Sequence, residues 1–322
     1  MEDNLVSIIL PVYNEEKYID RCLNSLVKQT FDMWESEVII LDGGSTDSTV
    51  KLIEKFYDNL PIKLLPNEKR QVTYALNKGI ENAKGKYIIR IDAHSEYDEE
   101  YIEKCIYYLE TVDADNVGGV AETCAMGFVG ETNAQILSSR FGVGNSNFRT
   151  SDKSGYTDTV PFGAFKREIF DKIGVFDVDL PRSEDNDFNS RIRKNGGKVY
   201  MACDIKFKYY CRDTVLGLLD QAIKNGNALF LTIRKNPSAM SLRHYIPFLF
   251  VLSLIVLPAF SFIDFFKWVF FAEMILYFLL NFVFSFFSGK LKYSFLKFIL
   301  YPIFHISYGM GSFIGMLGIK LY

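Results

Sequence analysis

The sequence has few of the residues that build covalent or zinc scaffolds. It contains five cysteines among 322 residues, which is an odd number, and no two of them form a Cys-x-x-Cys pair. These counts argue against a disulfide framework and against a structural zinc site. The formal net charge is only −3. The chain therefore has no broad basic field, and we expect no nucleic-acid partner.

Apolar and aromatic residues are abundant, but they are unevenly distributed. The hydrophobic fraction is 49%, and 29 residues are phenylalanine. Residues 1–242 have the composition of a soluble domain, whereas Phe, Leu and Ile dominate from Tyr245 onward. We predict an N-terminal domain at 1–242, which includes an interfacial helical segment at about 212–242, and a membrane domain at 243–322; the motifs and the charge pattern below predict that the first is catalytic and cytosolic.

Three long apolar segments in the tail predict transmembrane helices. They cover 245–263, 268–288 and 298–319, and each approaches the roughly 20 residues that cross a bilayer. The rival interpretation, buried helices of a soluble domain, leaves the tail almost no polar face. Lysines and arginines precede the first segment and separate the second from the third. The positive-inside rule then predicts a multi-pass protein of the plasma membrane with a cytosolic catalytic domain.

Small residues recur at four-residue spacing in the last of these segments. They are Ser307, Gly311 and Gly315. Small side chains allow the backbones of two helices to approach closely. We expect this face to pack within the tail's own helical bundle and not to form a dimer interface.

The first half of the chain alternates short apolar runs with helical patterns. Strands are predicted at 6–10, 38–41, 62–65 and 87–91, and Pro11 is expected to end the first of them. This rhythm predicts an α/β fold with a mostly parallel sheet covered by helices. Ligands bind at the carboxyl ends of such strands. We interpret residues 117–160 as one strand followed by long active-site loops.

Two motifs follow the first two strands. The string PVYNE at 11–15 supplies an aromatic ring and a carboxylate, although Asn14 could simply cap a helix. The string LDGGSTD at 41–47 contains glycines that allow a tight turn and close approach of a ligand. The carboxylate of Asp42 could accept a hydrogen bond from the N3–H of a uracil ring. Each motif is weak or moderate alone.

Two further motifs carry ionisable groups suited to catalysis. Asp92 and His94 follow the strand at 87–91 and offer an oxygen and a nitrogen to a divalent cation such as Mn²⁺ or Mg²⁺. The alternative is a solvent-exposed Asx turn. Glu184, Asp185 and Asp187 precede or begin a predicted helix. These acids could favour the helix dipole, or one of them could be a general base that deprotonates a sugar hydroxyl.

Taken together, the four motifs resemble family 2 glycosyltransferases with the GT-A nucleotide-sugar-binding fold. The resemblance runs from about residue 6 to residue 197 and includes the late strings GAFKRE, GxFD and ED. More narrowly, the strings LDGGSTD, NEKR, RIDAHSEY, ADNVGG and DTVPFGAF resemble bacterial glucosyltransferases of succinoglycan-type exopolysaccharide synthesis, which also carry a hydrophobic C-terminal tail.

The resemblance implies a role for each motif. The nucleoside pocket would be lined by Pro11, Tyr13, Glu15 and Asp42, and the donor would be a UDP-sugar, most simply a UDP-hexose. Asp92 and His94 would hold a metal on the diphosphate. Asp185 would be the base of an inverting transfer, with Glu184 and Asp187 beside it, and the acceptor would be a hydroxyl of a lipid-linked glycan.

The sequence departs from the family pattern at three positions. Gly43 stands where a second acid is usual, His94 replaces the second Asp of an Asp-x-Asp motif, and Leu76 replaces an arginine. Lys69 and Arg70 could contact the donor phosphates in place of that arginine, or they could be solvated surface charges.

Polar residues at 212–225 could guide the acceptor. Gln221 and Asn225 lie four residues apart on one helix face, and Arg212 precedes them. The alternative is a plain linker helix between the catalytic domain and its anchor.

Two other functions remain open at this stage. A polyprenyl-phosphate sugar synthase would have the same fold, but it would not need a strong general base. A non-catalytic membrane scaffold is disfavoured because Asp42, Asp92, His94 and Asp185 are all intact, and because Glu273 is the only charge in the second apolar segment.

Overall fold

The computed structural model describes residues 5–180 and 182–321. The outermost residues of the two predicted domains, 1–4 and 322, lie outside the described residues. The strands are β1 Val6–Val12, β2 Ser36–Asp42, β3 Ile62–Pro66, β4 Tyr87–Arg90, β5 Ser95–Tyr97, β6 Asn116–Cys124, β7 Gly155–Tyr156, β8 Ala164–Lys166 and β9 Val199–Tyr210.

Thirteen α-helices are found in the described part of the chain. They are α1 Ile19–Val27, α2 Thr49–Glu54, α3 Val72–Asn82, α4 Tyr101–Thr111, α5 Gly127–Leu137, α6 Arg140–Val143, α7 Asn147–Thr150, α8 Glu168–Ile173, α9 Glu184–Lys194, α10 Val215–Lys235, α11 Ile246–Ala259, α12 Asp264–Phe287 and α13 Ser294–Met316. Short 3₁₀ turns span Met33–Glu35, Leu242–His244 and Leu291–Tyr293.

The strands form one mixed sheet in the order β3-β2-β1-β4-β8-β6-β9-β5, with β7 paired to β9. The half built from β1 to β4 is parallel. Strand β8 runs antiparallel to both β4 and β6, and β5 and β7 run antiparallel to β9. The α/β prediction is confirmed, and its parallel half is the part in which alternating strands and helices were recognised from the sequence.

Pro11 does not end the first strand, which corrects the prediction. Strand β1 continues to Val12, and its last residues pair with Leu41 and Asp42 of β2. Proline has no N–H, and the position of that missing donor in the sheet explains why the strand is not interrupted. The carbonyl of Ile9 accepts a hydrogen bond from the N–H of Ile91, beyond which β1 no longer pairs with β4. Since residues two apart in a strand face the same neighbour, the proline ring faces this unpaired side and breaks no ladder bond.

The region 117–160 is more helical than its composition indicates, which corrects a second prediction. Strand β6 is followed by three helices, α5, α6 and α7. Contacts divide the chain into two compact units. The first contains residues up to 122 together with 151–210, and the second contains 123–150 together with 211 onward. The three helices that follow β6 thus belong to the same unit as the apolar tail.

Three helices of the second unit are long and apolar enough to cross a membrane. They cover Leu242–Ala259, Asp264–Phe287 and Leu291–Met316, and they correspond to the three predicted segments. The helix Asp264–Phe287 has a mean hydropathy of 2.0 and only 11% of its most apolar stretch is buried. Apolar side chains that find no protein partner indicate association with a membrane.

Helix α10 packs along α13 with almost no space between the two backbones. A Cβ atom added at Gly226 would lie 1.9 Å from the carbonyl oxygen of Tyr308, and one at Gly311 would lie 2.0 Å from that of Ile223. The amide of Asn227 also donates a hydrogen bond to the carbonyl of Ile319. At Gly226 and Gly311, only glycine allows the two helix backbones to lie this close. Gly311 thus packs within the chain, as predicted, but its partner is α10, a helix that the prediction placed outside the tail.

Candidate active site

Hydrogen bonds join the loops after β1 and β2 at the carboxyl edge of the sheet. Asn14 adopts a left-handed backbone conformation, with φ 54°. Its side-chain oxygen accepts a hydrogen bond from the N–H of Thr46 at 2.8 Å, and its own N–H donates to the hydroxyl of Ser45 at 2.9 Å. Asn14 therefore joins two loops and does not cap a helix, because α1 begins only at Ile19.

The carboxylate of Asp42 closes the turn that follows β2. It accepts hydrogen bonds from the N–H groups of Gly44 and Ser45 and from the hydroxyl of Ser45, the last at 2.6 Å. The carboxylate thus fixes the shape of the loop. A carboxylate has about four acceptor sites in total, so capacity for one further donor remains.

An aromatic ring and a cation lie beside this turn. The ring of Tyr13 is half exposed, and the guanidinium of Arg70 lies 5.4 Å from its centre. The same guanidinium is 3.7 Å from the position that a Cβ atom of Gly44 would occupy. Arg70 itself has φ 56°, whereas Lys69 is an exposed neighbour. Of the two cations considered for the phosphates, Arg70 is the one that lies against the glycine turn.

The third loop places Asp92, His94 and Glu15 together. The Nδ1 atom of His94 lies 2.7 Å from a carboxylate oxygen of Asp92 and 3.4 Å from one of Glu15. Burial by itself lowers the pKa of His94, but the neighbouring Asp92 and Glu15 raise it well above its ordinary value. Burial raises the pKa of Asp92, yet the pairing with His94 leaves it below its ordinary value.

The chemistry of these donors fits a divalent cation that is shared with a substrate. Among the described residues, no three His, Cys, Asp or Glu side chains form a group that could hold a metal by themselves. Mg²⁺ is commonly bound through one or two carboxylates and completes its coordination with phosphate oxygens and water. Asp92 supplies such a carboxylate, and the imidazole of His94 adds a nitrogen donor beside it.

Arg90 is a central residue that sequence reasoning missed. Its side chain is only 7% exposed, and its two terminal nitrogens bind the carboxylates of Asp185 and Glu184, the latter at 2.7 Å. Its guanidinium also lies 5.6 Å from the centre of the Phe162 ring. A signal was present in the string RIDAH, in which Asp92 follows the last strand residue, Arg90, by two positions. An extended chain directs such residues to the same side, and the charge of Asp92 does act on Arg90.

Asp185 is held in an electrostatic environment that suits a general base. Its burial is the main factor that raises its pKa to about 7. Arg90 opposes that rise, whereas the nearby charges of Glu184 and Asp92 add to it. One guanidinium cannot neutralise three carboxylates, so the proton affinity of Asp185 stays high. A pKa near neutrality is the value at which a carboxylate accepts a proton most usefully.

Asp187 lies apart from the other two acids of its cluster. Its carboxylate is buried and forms an ion pair with Arg191, one turn along helix α9, at 2.9 Å. The guanidinium of Arg191 also donates to the carbonyls of Ile173 and Val175. Asp187 therefore holds the loop before α9 in place, and only Glu184 and Asp185 meet Arg90.

Aromatic side chains that the sequence did not single out surround His94. The ring of Tyr209 lies 5.3 Å from the imidazole, and Tyr18 stacks on Tyr210 at 5.5 Å. The guanidinium of Arg21 lies 5.4 Å from the Tyr210 ring. These rings exclude water from one side of the Asp92–His94 pair, which strengthens the electrostatic interactions there.

The three residues expected to guide the acceptor belong to the second unit. Arg212 is exposed and precedes α10, and Asn225 is exposed on that helix. Gln221, on the same helix, has a side-chain oxygen that is buried without a hydrogen-bond partner. A buried unsatisfied oxygen of this kind is uncommon in folded proteins.

Known proteins resemble this chain along most of its length. The chain is 32% identical over 241 residues to a dolichyl N-acetyl-α-D-glucosaminyl phosphate 3-β-D-2,3-diacetamido-2,3-dideoxy-β-D-glucuronosyltransferase of Methanococcus voltae, an alignment that covers 72% of this chain and 75% of the relative. It is 26% identical over 243 residues to the succinoglycan biosynthesis protein ExoA of Rhizobium meliloti, with 74% and 73% covered. This second match confirms the predicted resemblance to succinoglycan-type enzymes.

A solved structure and a family model agree on the fold. The mannosyltransferase PcManGT of Pyrobaculum calidifontis, solved with GDP-Man and Mn²⁺, superposes with a TM-score of 0.63 at 16% identity and covers 98% of this chain and 88% of its own. That similarity supports the predicted GT-A fold. The model of glycosyl transferase family 2 matches residues 7–174. This span contains the β1, β2 and β4 loops described above, and the chain is a member of glycosyl transferase family 2.

Proposed function

We propose that this protein is a metal-dependent, inverting glycosyltransferase that moves a hexose from a UDP-sugar to a hydroxyl of a lipid-linked glycan, in the synthesis of an exopolysaccharide or other cell-surface polysaccharide. The observation that carries the proposal is the pair of carboxylates on Arg90. Asp185 has a raised pKa and a neighbour, Glu184, that shares its guanidinium. A base of this strength is useful when the acceptor is a hydroxyl and is superfluous when it is a phosphate.

The donor would bind over the loops after β1 and β2. Tyr13, with Pro11 and Glu15 beside it, offers an exposed ring to the nucleoside, and Asp42 retains capacity to accept from the base. Arg70 would contact the diphosphate, because its guanidinium lies against the Gly44 turn. Lys69 would add a second, more mobile positive charge at the same edge.

Asp92 and His94 would hold the divalent cation, Mn²⁺ or Mg²⁺, and that cation would supply positive charge for the departing diphosphate. For this role His94 must be unprotonated, so cation and proton compete for its nitrogen. The carboxylate of Glu15, 3.4 Å from the same nitrogen, would add negative charge beside the cation. Tyr209 would limit its exposure to water.

In the transfer itself, an oxygen of Asp185 would accept the proton of the acceptor hydroxyl. The acceptor oxygen would form its bond to the anomeric carbon from the face opposite the diphosphate while the bond to the diphosphate breaks, which inverts the configuration. Arg90 would hold Asp185 in position throughout. Glu184 would raise the proton affinity of Asp185 and would not itself touch the hydroxyl.

The acceptor assignment draws on the relative from Methanococcus voltae. Its name describes transfer to the 3-position of a dolichyl-linked N-acetylglucosaminyl phosphate, which is a hydroxyl of a lipid-linked sugar. We propose the same class of acceptor here, guided by Arg212, Gln221 and Asn225. The three apolar helices would form a multi-pass anchor in the plasma membrane, with the catalytic unit in the cytosol.

A matrix of donors and acceptors tests the proposal. The purified full-length protein with Mn²⁺ is offered UDP-glucose, UDP-galactose, UDP-N-acetylglucosamine and GDP-mannose, each with a lipid-linked sugar or with a bare polyprenyl phosphate. We expect release of UDP only with the lipid-linked sugar, and loss of that release in the Asp185→Asn variant. Efficient transfer to the bare lipid phosphate by both proteins would instead identify a polyprenyl-phosphate sugar synthase.

A further inference from the structure

Helices α5 and α6, which interrupt the catalytic half of the sequence, are joined to the apolar tail by specific contacts. The ring of Phe141 on α6 lies 4.9 to 5.5 Å from the rings of Tyr277, Phe284, Tyr301 and His305. The carbonyl of Phe141 accepts a hydrogen bond from His305 Nε2 at 2.9 Å. Phe141 is thus inserted between α12 and α13.

The position of this contact along the two helices indicates its depth. Tyr277 lies about 15 Å along α12 from the helix end at Phe287, and His305 lies about 16 Å along α13 from its start at Ser294, at about 1.5 Å per residue. The hydrocarbon core of a bilayer is about 30 Å thick. Helices α5 and α6 therefore cover α12 and α13 over about half of that length, counted from the end at residue 290.

An exposed patch lies at the same end of the unit, and we call it the Phe128 patch. It consists of Met126, Phe128 and Leu291, which are apolar, and Lys290 and Lys292, which are basic; all five are exposed. The ammonium of Lys292 lies 5.8 Å from the centre of the Phe128 ring. Aromatic and basic side chains in this combination are typical of surfaces that lie at the boundary between lipid headgroups and acyl chains.

The patch is rigid because three contacts fix α5 to the connection between α12 and α13. The side-chain oxygen of Gln135 accepts a hydrogen bond from the N–H of Lys290 at 3.0 Å. The hydroxyl of Tyr293 donates to the carboxylate of Glu131, and its ring lies 5.2 Å from that of Phe128. These contacts hold Phe128 beside the connection that carries Lys290, Leu291 and Lys292.

We propose that the Phe128 patch inserts into the cytosolic leaflet of the membrane, with Met126, Phe128 and Leu291 among the acyl chains and Lys290 and Lys292 on anionic phospholipid headgroups. Residues 123–150 would then be a second membrane-binding element, additional to the tail helices. This inference rests on the membrane anchor of the proposed function, and it extends that anchor into a part of the chain that its sequence marks as soluble.

Continuity with the tail argues for lipid as the occupant of the patch. Phe287 and Phe295, which flank the 290 connection, are each 78% exposed. They extend the apolar surface of the patch directly onto the outward faces of α12 and α13. The two lysines add the charge that attracts anionic headgroups. A second copy of this chain would have to bring two like-charged pairs of lysines together, which disfavours a symmetric dimer through this face.

Tryptophan fluorescence in lipid nanodiscs with dibrominated acyl chains tests the proposal, and the native tryptophans provide the controls. Trp268 on α12 is 64% exposed, and Trp34 in the first unit is 61% exposed. Three single-tryptophan proteins are compared: one keeps Trp268, one keeps Trp34, and one has both changed to Phe and carries Phe128→Trp. We expect quenching of Trp268 and of the tryptophan at 128, with Trp34 unaffected.

The outcomes separate the patch from the anchor. Quenching of Trp268 without quenching at position 128 overturns the patch and leaves the membrane anchor standing. Absence of quenching at Trp268 overturns both. An unquenched tryptophan at 128 whose emission changes on dilution identifies a second copy as the occupant and also overturns the proposal. If Phe128→Trp fails to fold, Met126→Trp provides the same readout.

A second experiment tests whether Lys290 and Lys292 bind anionic headgroups. Quenching at position 128 is compared between discs of phosphatidylcholine alone and discs containing phosphatidylglycerol. We expect stronger quenching with the anionic lipid, and loss of that difference when Lys290→Gln and Lys292→Gln are combined. The matched control combines Lys51→Gln, on helix α2 of the first unit, with Lys55→Gln, directly after that helix. This control should preserve the difference. Equal quenching in both lipids would refute the role of the lysines.

Discussion

The ionisation of Asp185 should control the rate of transfer, and its neighbours should shift that control in opposite directions. A carboxylate with a pKa of about 7 is about 90% ionised at pH 8 but only about 10% ionised at pH 6. Since a general base must be unprotonated to act, kcat/KM should fall about tenfold per pH unit below neutrality. Asp185→Asn should abolish this acidic limb and lower kcat by about 10²–10⁴-fold.

The structure determines whether removal of the Glu184 charge raises or lowers the pKa of Asp185. Glu184 and Asp185 contact the two terminal nitrogens of the same guanidinium, so their carboxylates lie close together. Two like charges about 6 Å apart repel by about 3 kcal/mol at an effective dielectric of 20, and the shared guanidinium cancels part of this. Glu184→Gln should therefore lower the pKa of Asp185 by about one unit, an effect of about 1.4 kcal/mol.

The two variants at this pair can be told apart in one assay. Nucleoside diphosphate release is measured from pH 5.5 to 9 with saturating metal and at several acceptor concentrations. Glu184→Gln should move the acidic limb toward lower pH while keeping turnover at pH 8 near that of the unchanged protein. A limb that moves to higher pH, or that persists in Asp185→Asn, would show that another group takes the proton.

Three further predictions concern the metal, the helix packing and the topology. Chelation with EDTA should stop transfer and Mn²⁺ should restore it, and His94→Ala should weaken the response to Mn²⁺ more than it weakens folding; full activity in EDTA contradicts the metal site. Gly311→Val should lower the melting temperature by several degrees because its side chain collides with the α10 backbone, whereas Gly155→Ala, where a Cβ meets no atom within 4 Å, should have no effect. Reporter fusions after Leu242 and at Lys290 should lie in the cytosol and one after α13 outside; a cytosolic reporter after α13 would mean that one helix does not span.

Much of the fold could be predicted because its signals are local. The strands around β1, β2 and β4 are short runs of Val, Ile and Leu, and such runs identify themselves without knowledge of the rest of the chain. The three apolar segments were recognised by length alone, since the thickness of a bilayer sets that length. Asp92 and His94 were found together because they are two residues apart at a strand end.

Other features depend on residues that are distant in the chain. Arg90 binds Glu184 and Asp185 across more than ninety residues, and no local pattern links them. The burial that raises the pKa of Asp185, and the ion pair that separates Asp187 from it, exist only after the chain has folded. Sequence reasoning could place three acids in one cluster, but it could not divide them between two arginines.

The boundary between the two units also could not be predicted from local sequence. Composition alone indicates where apolar residues accumulate, and it assigns 123–150 to the soluble domain because apolar residues dominate only from Tyr245 onward. Only the tertiary structure shows that Phe141 lies between α12 and α13 and that this segment belongs with the tail. Hydropathy is a sum over neighbours in sequence, whereas packing energy depends on neighbours in space, so a polar segment can join an apolar unit through a few well-placed rings.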